Sequence, residues 1–146
     1  MVKPVRVWDD VTPEIFATEI RPLGEPALLR GMVRNWPIVS AAIDEPFGAV
    51  RYLEKRMANG PLEFALAPPE SEGILHYRPD MKAFTYSKRQ APFAEIVAAL
   101  EASANGANPA TIAIQSLDIE SHLAGFLIDH PMPLLPQDVA PRIWIG

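Results

Sequence analysis

The three histidines are the first residues that could do chemistry, because a non-haem iron site needs two histidines and one carboxylate. Two of these ligands usually stand as His-x-Asp or His-x-Glu on one strand. The residues two positions after His76, His122 and His130 are Arg78, Ala124 and Met132. None of these is an acid, so the spacing predicts no metal ligand and favours structural or solvent-facing roles for all three histidines. His76 ranks first as an exception, since it lies in a predicted apolar strand.

A glutamine is the second candidate. Residues 111–117 alternate as a strand does, so Gln115 shares one face with Ala113. If that face lines the mouth of a barrel, the neutral amide could hydrogen-bond a substrate or cosubstrate. An amide satisfied by neighbouring backbone groups is the alternative. The pair is therefore a candidate wall of a cofactor-binding pocket.

Trp36 and Trp144 stand at the edges of apolar runs. Core or lid positions explain them most simply, and the alternative is that they shape a substrate pocket. The sequence has no cysteine nucleophile, no Gly-x-Ser-x-Gly elbow, no phosphate-cradling loop and no dinucleotide fingerprint. No catalytic residue is predicted.

Composition narrows the class of protein. The 146 residues are 49% hydrophobic and 21% charged, which is typical of one globular domain, residues 1–146. A net charge of −5 argues against a nucleic-acid partner, because phosphate binding requires clustered basic side chains. The chain has no cysteine and no apolar run of membrane-spanning length. These features predict a soluble, cytoplasmic protein without a membrane partner.

The elements that must position these residues follow from apolar periodicity and from helix start and stop signals. A helix is predicted to start at Thr12-Pro13, and a short buried strand is predicted to end at Gly31. The other predicted helices span 46–57, 92–104 and 118–125, and the other predicted strands span 62–66, 74–77, 83–86, 111–117 and 143–145. This mixture indicates an α+β fold.

Several short motifs carry a family resemblance. Residues 26–31, Pro-Ala-Leu-Leu-Arg-Gly, followed by Asn35-Trp36-Pro37, resemble the opening of cupin-like, jumonji-type (JmjC-like) domains of the 2-oxoglutarate- and Fe(II)-dependent oxygenase superfamily. The later landmarks are similar and in the same order: Phe84-Thr85-Tyr86, the Pro92 helix, Ile114-Gln115-Ser116, His122-Leu123 and residues 141–146. The resemblance covers nearly the whole chain, from about residue 5 to 146.

The resemblance implies a double-stranded β-helix, or jelly roll, of which this chain holds the N-terminal helices and first strands, so the domain is expected to be incomplete. In such domains the last of these strands leads into the His-x-Asp motif, and here the sequence stops first. Fe(II) and 2-oxoglutarate are therefore implied for the complete domain, whereas no cofactor is expected on this chain. Many relatives place a tyrosine two residues before the glutamine, where this chain has Ala113, so 2-oxoglutarate would be held differently or this contact would be lost.

The resulting hypothesis is the N-terminal part of a cupin-like oxygenase of the hydroxylase type, acting on a protein or small-molecule substrate when complete and inactive as this chain alone. The alternative is a non-catalytic interaction or small-molecule-binding module of cupin-like fold. The apolar terminal strand of Ile143, Trp144 and Ile145 predicts a homodimer or aggregation through its unpaired edge.

Overall fold

Short helices and strands alternate along the chain, and the computed structural model describes residues 4–136 and 138–146. The elements are β1 (Arg6–Asp9), α1 (Pro13–Ile15), β2 (Ala27–Arg30), α2 (Pro37–Asp44), α3 (Gly48–Glu54), β3 (Pro61–Ala67), β4 (Ser87–Pro92), α4 (Phe93–Ala104), β5 (Thr111–Asp118), α5 (Ile119–His122), α6 (Phe126–Asp129) and β6 (Arg142–Ile145). A π-helical segment, Phe16–Ile20, and 3-10 turns at Arg21–Leu23 and Pro69–Ser71 complete the list. The expected mixture of helix and strand is confirmed.

The main sheet has four antiparallel strands in the order β4-β3-β5-β6. Its centre is fixed by the pairing of Ala65 with Ala113. Alternate residues of β3, from Leu62 to Leu66, point toward the helices, as the sequence pattern predicts. The sheet therefore has one face that packs on helices and one face that does not.

The hydrophobic core lies between that sheet and α3, α4, α5 and α6. Its largest fully buried apolar side chains are Ile96 of α4, Ile114 of β5, Ile119 of α5 and Leu123. The predicted helix beginning at Pro92 is confirmed as α4, with Phe93, Ile96 and Val97 buried. Within the described residues, no helix is both long and apolar enough to cross a membrane.

The N-terminal part forms a separate parallel pair, β1 with β2. Thr12 caps α1 as predicted, since its Oγ1 accepts a hydrogen bond from Ile15 N at 3.2 Å. Gly31 closes β2 with φ +75°, a backbone conformation that glycine adopts without strain. The prediction that β2 is buried was wrong, because only alternate residues are partly covered and Leu28 is half exposed.

Three predicted elements were wrong in position. Residues 74–77 and 83–86 form no ladder strands and share only an isolated bridge between Tyr77 and Phe84, and the strand lies at Ser87–Pro92 instead. The polar sequence of β4 gives no strand pattern, because β4 is an edge strand whose residues are mostly exposed. The helix predicted at 46–57 is shorter in the structure, Gly48–Glu54, because Phe47 has φ +61° and so lies outside the helix. Trp36 is extended as predicted, and the helix α2 that it starts was not predicted.

Candidate functional site

A recess of about 320 Å³ lies on the face of the sheet that the helices leave open. Strands β3, β4 and β5 form its walls, and α5 and β6 contribute at one end. Its polar lining consists of Glu63, Lys88, Gln115, Ser116, Asp118, His122 and Arg142. We call this the open-face recess.

Gln115 and Ala113 line this recess together. Because Ile112 and Ile114 are buried against the helices, the alternate residues of β5 must face the other way. The side chain of Gln115 is exposed, and its amide has no hydrogen-bond partner in the part of the chain that the structure describes. Both its donor and its acceptor groups are therefore available to a ligand.

The floor beside Gln115 consists of very short side chains. Ala65 and Ala113 pair across β3 and β5. Gly146 lies next to Ala113, since a Cβ built on it would stand 3.4 Å from the Cβ of Ala113 and 3.0 Å from the carbonyl oxygen of Ile112. Room above this floor exists because neither alanine side chain extends beyond a methyl group.

A β-bulge turns the end of β5 toward the recess. The register with β6 shifts between Ile114 and Leu117, and Ser116 has φ +55°. Two consecutive residues, Gln115 and Ser116, are consequently exposed. Arg142 donates from Nη1 to the carbonyl oxygen of Ser116 at 3.4 Å, which ties β6 to the bulge.

Two ion pairs border the recess. Lys88 Nζ lies 2.7 Å from Glu63 Oε1, and this hydrogen bond and the charge of Glu63 raise the pKa of the lysine. Arg142 lies 3.5 Å from Asp118. The pKa of Asp118 is lowered, first by its hydrogen bonds with Ser121 and then by the charges of Arg142 and His122. Each cation is balanced by an acid, so the walls present no net positive charge to an anion.

The histidines lie in three different environments. His122 borders the recess, and its Nδ1 is 3.0 Å from the carbonyl oxygen of Asp118. His76 is exposed in a loop rather than in a strand, so the reason for ranking it first was wrong. His122 was missed as a recess residue, and only its place four residues after the helix cap Asp118 could have indicated it.

His130 is fully buried and serves the core. Ile38 N–H donates to its Nε2 at 3.3 Å, so the ring proton is on Nδ1, which donates to the carbonyl oxygen of Phe126 at 2.7 Å. Its ring stacks on Phe126 with 3.8 Å between centroids. Both nitrogens are used by backbone groups, which leaves none for a metal.

The described residues do not fit an iron site. Among residues 4–136 and 138–146, no three His, Asp or Glu side chains are grouped so that they could hold a metal ion. Of the possible donors at the open-face recess, His122 and Asp118 contact each other through a ring nitrogen and a backbone oxygen, and Glu63 is held by Lys88. No reaction step through a metal is derived from this chain.

The two tryptophans lie in different places. Trp36 packs edge-on against His130 at 5.5 Å and lines a separate apolar cavity of about 250 Å³ with Met32, Met132 and Leu135. Trp144 is 63% exposed on β6. Because Ile145 pairs with Ile114, antiparallel pairing brings Trp144 beside Gln115 on the open side of the sheet.

Comparison with protein families gives a match over most of the chain. No curated protein matches the chain significantly. The family model described as a cupin-like domain matches residues 12–146, which include both sheets apart from β1 and every residue of the open-face recess. The chain therefore belongs to the cupin-like domain family.

Proposed function

We propose that this chain is the N-terminal part of a 2-oxoglutarate- and Fe(II)-dependent oxygenase domain of the hydroxylase type, with the open-face recess as one wall of its active-site pocket. The observation that carries the proposal is the amide of Gln115, which stands without a partner beside the short side chains of Ala65 and Ala113 in the recess. A cupin-like domain holds its ligands inside a barrel, and this face is the side of the sheet that the helices leave free.

Gln115 would bind and orient the ligand. Its amide N–H can donate a hydrogen bond to a carboxylate or keto oxygen, and its amide oxygen can accept one from a ligand hydroxyl or a water, without adding charge to the pocket. Ala113 and Ala65 leave the space that a planar ligand needs next to that amide. Ala113 supplies no hydroxyl group, so the polar contacts from this part of β5 would come from Gln115 and the adjacent Ser116.

In this proposal the iron ligands come from residues that follow Gly146 in a longer protein. Bound Fe(II) would supply the activation of dioxygen. The contribution of the present chain is to bind and position the cosubstrate and to shield the pocket from water on one side.

The first test uses the natural gene product, including any residues that follow Gly146. With Fe(II), it should convert 2-oxoglutarate to succinate. Gln115→Ala should raise the KM for 2-oxoglutarate by about threefold to tenfold, the value of one neutral hydrogen bond. Gln90→Ala is the matched control, because Gln90 is an exposed amide on β4 outside the recess lining.

Two results would contradict the oxygenase proposal. One is a gene product that has no His-x-Asp or His-x-Glu motif after Gly146 and forms no succinate. The other is an equal effect of Gln115→Ala and Gln90→Ala on the KM.

A non-catalytic binding module of cupin-like fold is the second candidate, and the paired charges favour it. Lys88 is held by Glu63 and Arg142 by Asp118, so neither cation of the recess is free for a dicarboxylate. In this second candidate the ligand of the recess would be a neutral small molecule. Calorimetry separates the two, since the module should bind no 2-oxoglutarate even with Mn(II) present in place of Fe(II).

A further inference from the structure

Residues 74–86, here called the aromatic hairpin, keep their shape without help from the core. Arg78 N donates to the carbonyl oxygen of Ala83 at 2.7 Å, and Thr85 N donates to that of His76 at 2.8 Å. At the tip, Met81 N closes a turn on Arg78 at 2.9 Å, with Pro79 in the position that favours such a turn. The hairpin is therefore a preformed surface.

Its apolar side chains are not used in folding. Ile74, Tyr77, Met81 and Phe84 are 60%, 46%, 65% and 39% exposed, and none of them belongs to the buried core. The rings form a continuous row, with centroids 4.6 Å apart for Tyr77 and Phe84 and 4.8 Å apart for Phe84 and Tyr86. Rigid exposed aromatic rows of this kind supply the anchor residues of protein interfaces.

The charge around the hairpin is opposite to that of the rest of the chain. Residues 74–92 carry four basic side chains and one acidic side chain, a net charge of +3, whereas the whole chain has −5, so the remaining residues carry −8. Lys82 and Arg89 have no acidic partner within the described residues. This local positive charge favours an acidic partner, and the net negative charge of the remaining residues disfavours one on average elsewhere.

We infer that the aromatic hairpin and β4 form a docking surface for an extended acidic polypeptide that carries aromatic or leucine side chains between its carboxylates. The apolar side chains would pack on the Tyr77–Phe84–Tyr86 row, and the carboxylates would pair with Lys82 and Arg89. A second copy of this chain fits worse, because a two-fold contact between hairpins would bring like charges together. The surface is independent of the proposed oxygenase activity, and its test needs no turnover.

The experiment measures fluorescence anisotropy of a labelled synthetic peptide in which glutamates alternate with phenylalanine and leucine. A second peptide has lysines in place of the glutamates. The full chain should bind the acidic peptide about tenfold or more tightly than the basic one, and the affinity should fall as salt is raised. Equal binding of the two peptides would overturn the inference.

Variants separate the aromatic and the charged contributions. Tyr77→Ser with Phe84→Ser should weaken acidic-peptide binding by about tenfold or more. Lys82→Glu with Arg89→Glu should weaken it and remove most of its salt dependence. The matched controls are Ile128→Ser and Lys55→Glu, an exposed apolar residue and an exposed cation away from the hairpin, and both should bind as the wild type does.

Other outcomes count against the surface. Hairpin variants that bind like the two controls, tighter binding of a short single-stranded RNA than of the acidic peptide, or self-association that the hairpin variants abolish would each overturn the inference. If a hairpin variant fails to fold, amide shift mapping on the wild-type chain decides. Peptide-induced shifts confined to residues 74–92 would support the surface, and shifts elsewhere would refute it.

Discussion

His130 shows how a chemically able residue can be fully committed to structure. Its two ring nitrogens join the first turn of α2, through Ile38, to the carbonyl oxygen of Phe126 in α6. Trp36 and Tyr52 each pack edge-on against the ring at 5.5 Å. The imidazole therefore connects two helices that the main sheet does not hold together directly.

Replacement of His130 should be costly. His130→Ala leaves a cavity and removes the partner of the Ile38 N–H, while the carbonyl oxygen of Phe126 keeps its hydrogen bond from the backbone N–H of residue 130 at 3.1 Å, so the free energy of unfolding should fall by roughly 3 kcal/mol. His76→Ala is the control, because His76 is exposed and should change that free energy by about 0.5 kcal/mol or less. Urea unfolding followed by tryptophan fluorescence measures both. A His130→Ala protein as stable as His76→Ala would show that the ring is not a structural link.

Asp118 should make stability depend on pH. Its pKa is lowered in the folded state, by the hydrogen bonds with Ser121 first and by Arg142 next, so its stabilising effect is complete above the unfolded pKa of about 4. That effect is lost as the pH falls through the lower, folded pKa. Asp118→Asn keeps a capping oxygen but no charge. The variant should therefore be less stable than the wild type at pH 7, and the difference should narrow as the pH is lowered below about 4 and on toward pH 2.

Urea midpoints measured between those pH values test the Asp118 prediction. Arg142→Gln removes the ion pair and the hydrogen bond to the carbonyl oxygen of Ser116 but leaves Asp118 charged and bonded to Ser121 at 2.8 Å, so its stability difference from the wild type should depend less on pH than that of Asp118→Asn. If the stability difference between the wild type and Asp118→Asn were the same at every pH, the charge of Asp118 would not be the cause.

Helices α2 and α3 meet at Gly48. A Cβ built on this residue would overlap the carbonyl oxygen of Ala41, so the approach of the two helices requires a glycine. Gly48→Ala should lower the free energy of unfolding by about 3 kcal/mol, because a rigid backbone must move. Gly106→Ala is the control, since its Cβ would meet only ordinary contacts at 3.4 Å. Equal thermal midpoints for the two variants would contradict this account.

Local patterns predicted the elements whose signals are contained within one segment. The 3.6-residue period from Phe93 to Ala104 and the alternation through β5 are complete in themselves, and both elements were found in place. Strand β4 has no such signal. It is held by pairing with β3, whose Leu62 lies about thirty residues earlier than its partner Ala91, and its own residues mostly face solvent. Helix α2 was not predicted for the same reason, because its first turn is held by the hydrogen bond from Ile38 N–H to His130, a residue distant in the sequence.

The candidate site was predictable to the same extent. Alternation alone placed Gln115 and Ala113 on one face, and both line the recess. The salt bridge of Glu63 with Lys88 arises from the register of β3 with β4, which no local pattern encodes. Gly146 comes to lie beside Ala113 only because β6 pairs with β5. The sequence patterns could not predict which residues become neighbours across paired strands.

Over the whole molecule, the packed and the unpacked surfaces are on opposite sides of one sheet. The helices cover one face, whereas the other face holds the recess and the exposed ring of Trp144. The aromatic hairpin leads into β4, so it extends this sheet at one edge while β6 lies at the other. The recess therefore lies on the side that the helices leave free, and the aromatic hairpin lies next to the edge formed by β4.

The free edge of the sheet leads to the last prediction. Strand β6 pairs with β5 on one side, and no other strand of the described residues pairs with its second side. Its unpaired backbone groups lie beside Trp144, whose burial would contribute about 3 kcal/mol to an association. We expect the 146-residue chain to self-associate through β6 as its concentration rises.

Light scattering after size-exclusion chromatography measures this association. Trp144→Lys should shift the chain toward monomer, because it removes the apolar contact and places a charge on the edge. Ile128→Lys is the control: Ile128 is 83% exposed on α6, away from the edge, so this change should leave the association as it is. A monomer that unfolds cooperatively at high concentration would contradict the prediction, because the edge of β6 would then be stable in water without a partner strand.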